Sequence, residues 1–439
     1  MKFLLPRGMR DVEPAEFENI NFIRNTFIES AKIFNFLVME PSPLELLTTL
    51  EAKSGPLIIN EIYNFTDKGG RDVALRFDLT IGLTRYFSSR RDLKLPAKFA
   101  SFGGVWRYDE PQAGRYRFFH QWDIEVYGPS STESDAEILE FTSVFLDKLG
   151  LKNIIIEINS RTLIEEYIKK VLKVSDKNKI FEVFRAIDKI PKKGKDAIIS
   201  EYQDKIGADI LDKVIEFANN KGSFDEVDKL VKPYDLQSWI EIERIITSLT
   251  NRGIGNVNIN LGIVRGLDYY SGVVFEAVDT KNNFGAIVGG GRYNSLTETF
   301  GRKDIGATGA AGGVERIILA MKNQGLILHK NNNNNTKDKN LNFIVFDSEE
   351  LFTFVEQTAA RLRRMNVPIE YDFLKRSFSK QINDAEVKGY ENIIIVKREE
   401  YEKDGKITIK NTTHNMTAKI KISEELDKLI INSIKKISG

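Results

Sequence analysis

The 439-residue chain contains no cysteine, which removes disulfides, thiolate nucleophiles and Cys-ligated zinc or iron–sulfur sites at once. Histidine is scarce: His120, His329 and His414 lie far apart with no ligand spacing, so no metal site built from protein residues is expected. Net charge is almost missing, with 64 Lys+Arg against 63 Asp+Glu. That argues against a protein that coats nucleic acid over its whole surface, while leaving room for a local basic face. No run approaches the ~18 apolar residues of a membrane span. At the N-terminus only Phe3, Leu4 and Leu5 precede Pro6 and Arg7, too few for a secretory signal, so the cytoplasm is the expected compartment.

What is present is ordinary globular material: AVILMFWYC residues make up 41% of the chain, enough for sizeable cores. At ~150 residues per domain, two to four domains are expected. A five-asparagine run, Asn331 to Asn335, continues into Thr336-Lys337-Asp338-Lys339-Asn340. It buries nothing and reads as a linker over 329–340, the alternative being a surface loop within one domain. Beyond it, Phe343–Phe346 and Ile393–Val396 suit buried strands, with helical patterns near 350–364 and 378–388, so 341–439 is expected to be a small α/β domain. Before it, Phe17, Ile20, Phe27, Ala31 and Phe34 recur at helical spacing after Pro14, and Thr132-Glu133-Ser134-Asp135 resembles a capping box for a helix stopped at Gly150. Strand-like pieces lie at 97–109, 118–128, 256–263 and 272–279. Residues 161–245 are mainly helical and rich in Lys, Glu and Asp, which reads as a helical insertion between two blocks of one sheet, 1–160 and 246–328.

The familiar nucleotide devices are missing: no GxxxxGK[ST] loop, no GxGxxG opening a helix, no GxSxG and no HExxH. A bound nucleotide would have to be held by side-chain cations. Attention therefore falls on Val105 to Gly128, where Pro111 and Gly114 mark a loop between two aromatic-rich extended segments. In the second segment, Gln121, Asp123 and Glu125 share one face, and Trp122, Ile124 and Val126 the other. Arg107, Arg115 and Arg117 around the loop, beside these carboxylates, suit a zwitterion plus a phosphate; a salt-bridged surface hairpin is the competing reading. Arg265-Gly266-Leu267-Asp268-Tyr269-Tyr270-Ser271-Gly272 and Gly289-Gly290-Gly291-Arg292-Tyr293-Asn294 also stand out. The glycine run is either a bend or a backbone that a ligand approaches closely, and taken alone such runs are usually bends.

In this order the motifs resemble those of the histidyl-tRNA synthetases, a class II aminoacyl-tRNA synthetase family. Arg107–Gly128 looks like motif 2, Gly312-Gly313-Val314-Glu315-Arg316 like motif 3, and Arg265–Gly272 and Gly289–Tyr293 like the two family-specific histidine motifs. Pro6–Asp11 resembles the N-terminal PRGxRD, Leu75–Thr80 the amino-acid-binding strand, and the region around Lys380–Ile382 and Ile393–Lys397 the anticodon-binding domain. The resemblance implies an α+β fold: a class II antiparallel sheet flanked by helices, a helical insertion, and a C-terminal α/β anticodon-binding domain. It also implies a homodimer formed through the catalytic domains, including 1–60 and 97–128, and a histidine–tRNA ligase that uses ATP and Mg²⁺ to make histidyl-adenylate and charge histidine tRNA.

The residue roles follow the same resemblance. Arg107 and Arg265 would hold the α-phosphate and carry the activation step, a role the family gives to arginine rather than to an extra metal. Arg316 and Arg115 would face the γ-phosphate, Mg²⁺ would bridge the β- and γ-oxygens, and Asp109, where Glu is usual, would lie near adenine and phosphates. Asp78, Thr80 and Gln121 match positions holding the α-amino group. Glu125 and Tyr270 match those reading the imidazole, with Arg265, Tyr269 and Tyr293 also at the histidine. Gln112 matches an acceptor-end contact. Asn294 departs from the usual Asp and carries no role. Lys189, Lys192, Lys193 and Lys195 are either solvated surface or contacts to tRNA phosphate. The competing families are the regulatory subunit of ATP phosphoribosyltransferase, against which the 99 residues after Asn340 and the three arginines speak, and a threonine or proline synthetase, which RGLDYYSG disfavours.

Overall fold

The computed structural model describes residues 3–54, 56–110, 116–265, 270–282, 285–327, 341–423 and 425–437. The chain divides into two compact units, Met1–Leu328 and His329–Gly439.

In the first unit the strands are β1 (Leu37–Val38), β2 (Leu44–Leu46), β3 (Asn64–Thr66), β4 (Asp72–Leu75), β5 (Ala97–Trp106) and β6 (Phe118–Gly128), then β7 (Ile154–Ser160), β8 (Lys221–Gly222), β9 (Val257–Asn260), β10 (Val273–Asp279), β11 (Ala286–Arg292) and β12 (Gly306–Gly313). Nine form one sheet in the order β1-β5-β6-β12-β11-β10-β7-β9-β8; β2, β4 and β3 form a small second sheet. The central run from β5 to β7 is antiparallel throughout. The period-2 reading of β6 holds: Trp122, Ile124 and Val126 belong to the large core cluster. Trp122 packs there with Phe27 and Phe145, at ring separations of 5.6 and 5.1 Å. The apolar side of β6 thus faces the helices Pro14–Ile33 and Thr132–Lys148, and its acid and amide side is left for the opposite face.

Several local expectations need correction. Phe17 is half exposed, and Ile23 takes its place in the buried stripe. Ser131, not Thr132, caps the next helix, its Oγ accepting from Ser134 N at 3.2 Å; with Ser rather than Glu at that third position, the reciprocal arm of the box is missing. The strand expected over 256–263 is only Val257–Asn260, because Asn260 turns its amide oxygen back onto Gly262 N. The largest change concerns the glycines: Gly289–Gly291 is no bend but the middle of β11, inside the sheet. From Arg161 to Asn251 the chain is helical apart from β8, with Gly194 and Gly207 at positive φ punctuating successive helices.

The second unit has a five-stranded sheet built from β13 (Asn342–Phe346), β14 (Ile369–Tyr371), β15 (Asn392–Val396), β16 (Lys406–Asn411) and β17 (Thr417–Lys421). Their order is β14-β13-β15-β16-β17, with the first three parallel. Strand β13 is apolar almost without interruption because both faces are covered. Ile344 and Phe346 pack with Val355, Leu362, Ile430 and Ile434, while Phe343 and Val345 pack with Ala385 and Tyr390.

Candidate active site

Strands β6, β12, β11 and β10 lay a floor from which side chains of very different size rise. Seven of the residues in β11 and β12 are Gly289, Gly290, Gly291, Gly306, Gly309, Gly312 and Gly313. Two of them matter most. In register, Gly309 stands opposite Glu125, and a β-carbon on it would overlap the Glu125 carboxylate and come within 2.6 Å of Tyr293 Oη. Gly289 stands opposite Glu276, and a β-carbon there would overlap the guanidinium of Arg265. The missing side chains therefore give a carboxylate and a guanidinium room to lie flat on the sheet.

Above this floor is a cleft of about 820 Å³. Asp78, Thr80, Arg107, Asp109, Gln121, Glu125, Arg265, Tyr270, Tyr293 and Arg316 all line it. Arg115, Gln112 and Tyr269 lie outside the described residues. Arg107 donates through Nη2 to Gln121 Oε1 at 3.3 Å and through Nε to Phe77 O at 3.0 Å. Gln121 Nε2 in turn donates to Asp123 Oδ2 at 3.4 Å, which also accepts from Thr80 Oγ1 at 3.0 Å. One polar chain thus runs from a guanidinium at one end to an acid–hydroxyl pair at the other. Asp78 Oδ1 accepts from Ile81 N at 3.1 Å, in the first turn of the helix Thr80–Ser89. Gln121, Asp123 and Glu125 are all buried, so the acid face of β6 is no solvated sheet surface.

Arg265 has φ +54, a left-handed conformation uncommon for a side chain of this size and one that gathers at functional sites. Its Nη1 donates to Glu276 Oε1 at 2.7 Å, and its guanidinium lies 5.8 Å from the Tyr270 ring. Tyr270 and Tyr293 meet edge to face, 6.2 Å apart. Arg316 follows Glu315 at the start of the helix Val314–Asn323 and donates to Ala286 O at 2.6 Å. Glu315 accepts from His120 N with both oxygens at 3.0 Å, which ties this helix start to β6.

Arg117 does not belong with Arg107. It donates to the carbonyls of Asp109 and Arg7, stacks on Tyr108 at 4.0 Å and is not among the cleft-lining residues. Asn294 gains a structural account: Oδ1 accepts from Ala307 N at 3.0 Å while Nδ2 donates to Ser130 Oγ at 2.7 Å, two tasks that suit an amide. Sequence reasoning missed Glu276, Glu315 and the cleft-lining Asp188. The signal for Glu276 was a lone carboxylate inside the apolar run Val273–Val278. The lysine cluster is internally paired: Lys189 and Lys193 both reach Glu201, at 2.7 and 2.5 Å, and Lys195 reaches Asp212 at 3.3 Å. Only the Lys192 side chain falls outside the described set.

A buried acid, two phenols and three arginines line one cleft over an antiparallel sheet, a set with the chemistry to pair with an amino acid and with phosphate oxygens. Comparisons agree in fold. The structure matches histidyl-tRNA synthetase from Nostoc sp. PCC 7120 with a TM-score of 0.78, at 23% identity over 99% of this chain and 100% of that one. It matches the apo S. aureus histidyl-tRNA synthetase with a TM-score of 0.72, at 22% identity over the whole of both chains. In sequence, the family model "Histidyl-tRNA synthetase" matches residues 8–317 and "Anticodon binding domain" matches 330–431. The histidine–tRNA ligase of Sulfurisphaera tokodaii is 34% identical over 429 residues, 96% of this chain and 97% of its own length; that of Thermoplasma volcanium is 30% identical over 410 residues, covering 92% and 93%. The chain belongs to the histidyl-tRNA synthetase family, a family of ATP-dependent ligases.

Proposed function

We propose that the cleft activates L-histidine with ATP and that the histidyl group then passes to the 3′ end of histidine tRNA. Family membership supplies the activity, histidine–tRNA ligation; the division of labour among residues is our reading. The observation that carries it is the Glu125 carboxylate lying over Gly309 beside Tyr293, with Tyr270 packed edge to face on the same ring. A carboxylate and a phenol pair with the two nitrogens of an imidazole, and an apolar isostere would leave both without partners. The α-amino group then falls to Asp78, Thr80 and Gln121.

Adenylation joins a carboxylate to the α-phosphorus and releases pyrophosphate. It needs two anions brought together and the developing charge stabilised, which suits arginines held in place beforehand. Arg107 and Arg265 take the α-phosphate oxygens. Glu276 keeps Arg265 on the glycine floor, and Gln121 couples Arg107 to the amino-acid end. Arg316, with Arg115, takes the γ-phosphate; Asp109 lies by the adenine. Mg²⁺ would enter with ATP and would supply positive charge to the leaving pyrophosphate, alongside Arg316 and Arg115. Gln112 meets the acceptor end, and residues 341–439, after the 329–340 linker, read the anticodon.

No helix among the described residues is long and apolar enough to cross a membrane, and we place the enzyme in the cytoplasm. A homodimer is favoured by apolar side chains left exposed in the first unit: Leu37 and Val38 on the two-residue β1 at one end of the sheet, with Leu44, Leu46 and Phe65 on the small sheet. The regulatory-subunit reading is weakened by the match to an anticodon-binding domain. The test is pyrophosphate exchange scanned over the twenty amino acids: exchange with histidine alone is expected, and exchange with threonine or proline instead, or with none, refutes the reading.

A further inference from the structure

Arg292 belongs to the second glycine-rich motif, yet neither the cleft nor the reaction uses it. Along β11 the side-chain direction alternates, so Arg292 falls on the face opposite the cleft-lining Gly289 and is not itself among the cleft-lining residues. Its side chain is 11% exposed and the guanidinium sits between two carboxylates: Nη2 bonds Asp135 on the helix Thr132–Lys148, and Nη1 bonds Glu241 on the helix Trp239–Asn251. Thr308, its partner in register on β12, donates through Oγ1 to Gly291 O at 3.3 Å, next to Arg292. Burial pushes the Asp135 carboxyl up to about 6 against the pull of Arg292, with Glu241 adding to the rise. The two carboxylates hold Arg292 above its ordinary value.

The backbone of Arg292 and its neighbour meets the histidine pocket directly. Arg292 O accepts from Ser271 N at 2.9 Å, the residue next to Tyr270, and Tyr293 N donates to Ala307 O at 2.8 Å. Asn294 N donates to Ser271 Oγ at 2.9 Å. The segments carrying Tyr270 and Tyr293 are therefore stitched together at Arg292, and the guanidinium anchors that stitch to two helices behind the sheet.

We infer that Arg292, clamped by Asp135 and Glu241, is a positioning residue for imidazole recognition: it fixes the Tyr270–Tyr293 pair from the far side of the sheet and sets affinity for histidine rather than the rate of adenylation. The inference rests on the assignment of Tyr270 and Tyr293 to the histidine pocket. Loss of an interaction that acts only on the amino-acid side raises the KM of that substrate and leaves the other substrate and the turnover alone.

The experiment is histidine-dependent pyrophosphate exchange with the full-length protein, varying histidine and ATP separately. In the double variant Asp135→Asn/Arg292→Met both members of the most buried pair go together, so the only carboxylate left without its arginine is the partly exposed Glu241. It should raise the histidine KM about tenfold, the worth of a charged hydrogen bond, with ATP KM and kcat within about twofold. Glu241→Gln removes the more exposed partner, keeps the core intact and should raise histidine KM about threefold on its own. A role in packing alone would lower the active fraction, so that kcat falls while both KM values stay; that result, or ATP KM rising in step with histidine KM, overturns the inference. Wild-type protein without histidine-dependent exchange would instead sink the underlying reading of the cleft, an outcome separate from any variant.

Discussion

Two clusters of charge, one in the cleft and one in the helical segment, look alike in sequence and behave differently in the fold. Lys189, Lys193 and Lys195 lie on helices with exposed or half-exposed side chains, and each meets a carboxylate across a short gap. Arg265 and Glu125 lie on a sheet whose glycines leave space for the charged groups and nothing else, one with φ +54 and the other almost fully buried. The lysines are neutralised where they stand. The cleft residues are held over glycines and border the cleft, Arg265 by its pair with Glu276 and Glu125 beside Tyr293. A charge becomes part of a site when the backbone around it has given up side chains to hold it, and the glycine strands are the mark of that.

The sharpest way to break the comparison is to remove a cleft charge. Arg265→Ala should slow histidine-dependent pyrophosphate exchange by about 10²–10³, the usual worth of a preorganised donor to a developing charge, with histidine affinity little changed. An exchange rate within a fewfold of wild type would mean that Arg265 belongs with the surface charges. Next comes the floor itself. Gly309→Ala adds one carbon where Glu125 lies, and overpacking of this kind costs about 1–3 kcal/mol. We expect a rise of about 10- to 100-fold in histidine KM while circular dichroism stays native; an unchanged KM would remove the glycine floor from the argument.

The smallest effect belongs to the helical segment. The Glu201 carboxyl is held down at about 2 by hydrogen bonds from Lys189 and Lys193. Its folded value is depressed, so the stability it contributes is present above its ordinary value and lost as pH falls through about 2. Because the pair is exposed and screened by salt, Lys189→Ala should leave exchange and tRNA charging within about twofold at neutral pH. A large loss of tRNA charging would turn these lysines into a phosphate contact after all.

How much of this was legible beforehand depends on whether the relevant signal is local. The two-faced pattern of β6 is written in Gln121-Trp122-Asp123-Ile124-Glu125-Val126, and the structure places both faces accordingly. The α/β character of 341–439 was visible because β13 and β15 are buried on both faces, but β16 and β17, with Lys406, Lys410, Lys419 and Lys421, were too polar to stand out. The glycine strands β11 and β12 were illegible for a different reason. Glycine has no side chain to show a period, and the β-sheet context that makes Gly289–Gly291 a strand comes from neighbours distant in sequence. The same holds for Arg117, which sits among ligand-like residues yet is used up by two carbonyls and a tyrosine ring. Glu276 was hidden by distance of another kind: its importance appears only once β10 sets it opposite Gly289 and beneath Arg265.

The central claim is that the acid face of β6 reads histidine, and calorimetric titration of histidine into wild type and Glu125→Gln tests it most directly. The substitution keeps the shape and removes the charge that would accept from the ring nitrogen. Wild type should bind histidine, and Glu125→Gln should bind it at least about tenfold more weakly, as expected for a lost charged hydrogen bond. Equal affinity in the two proteins would contradict the account.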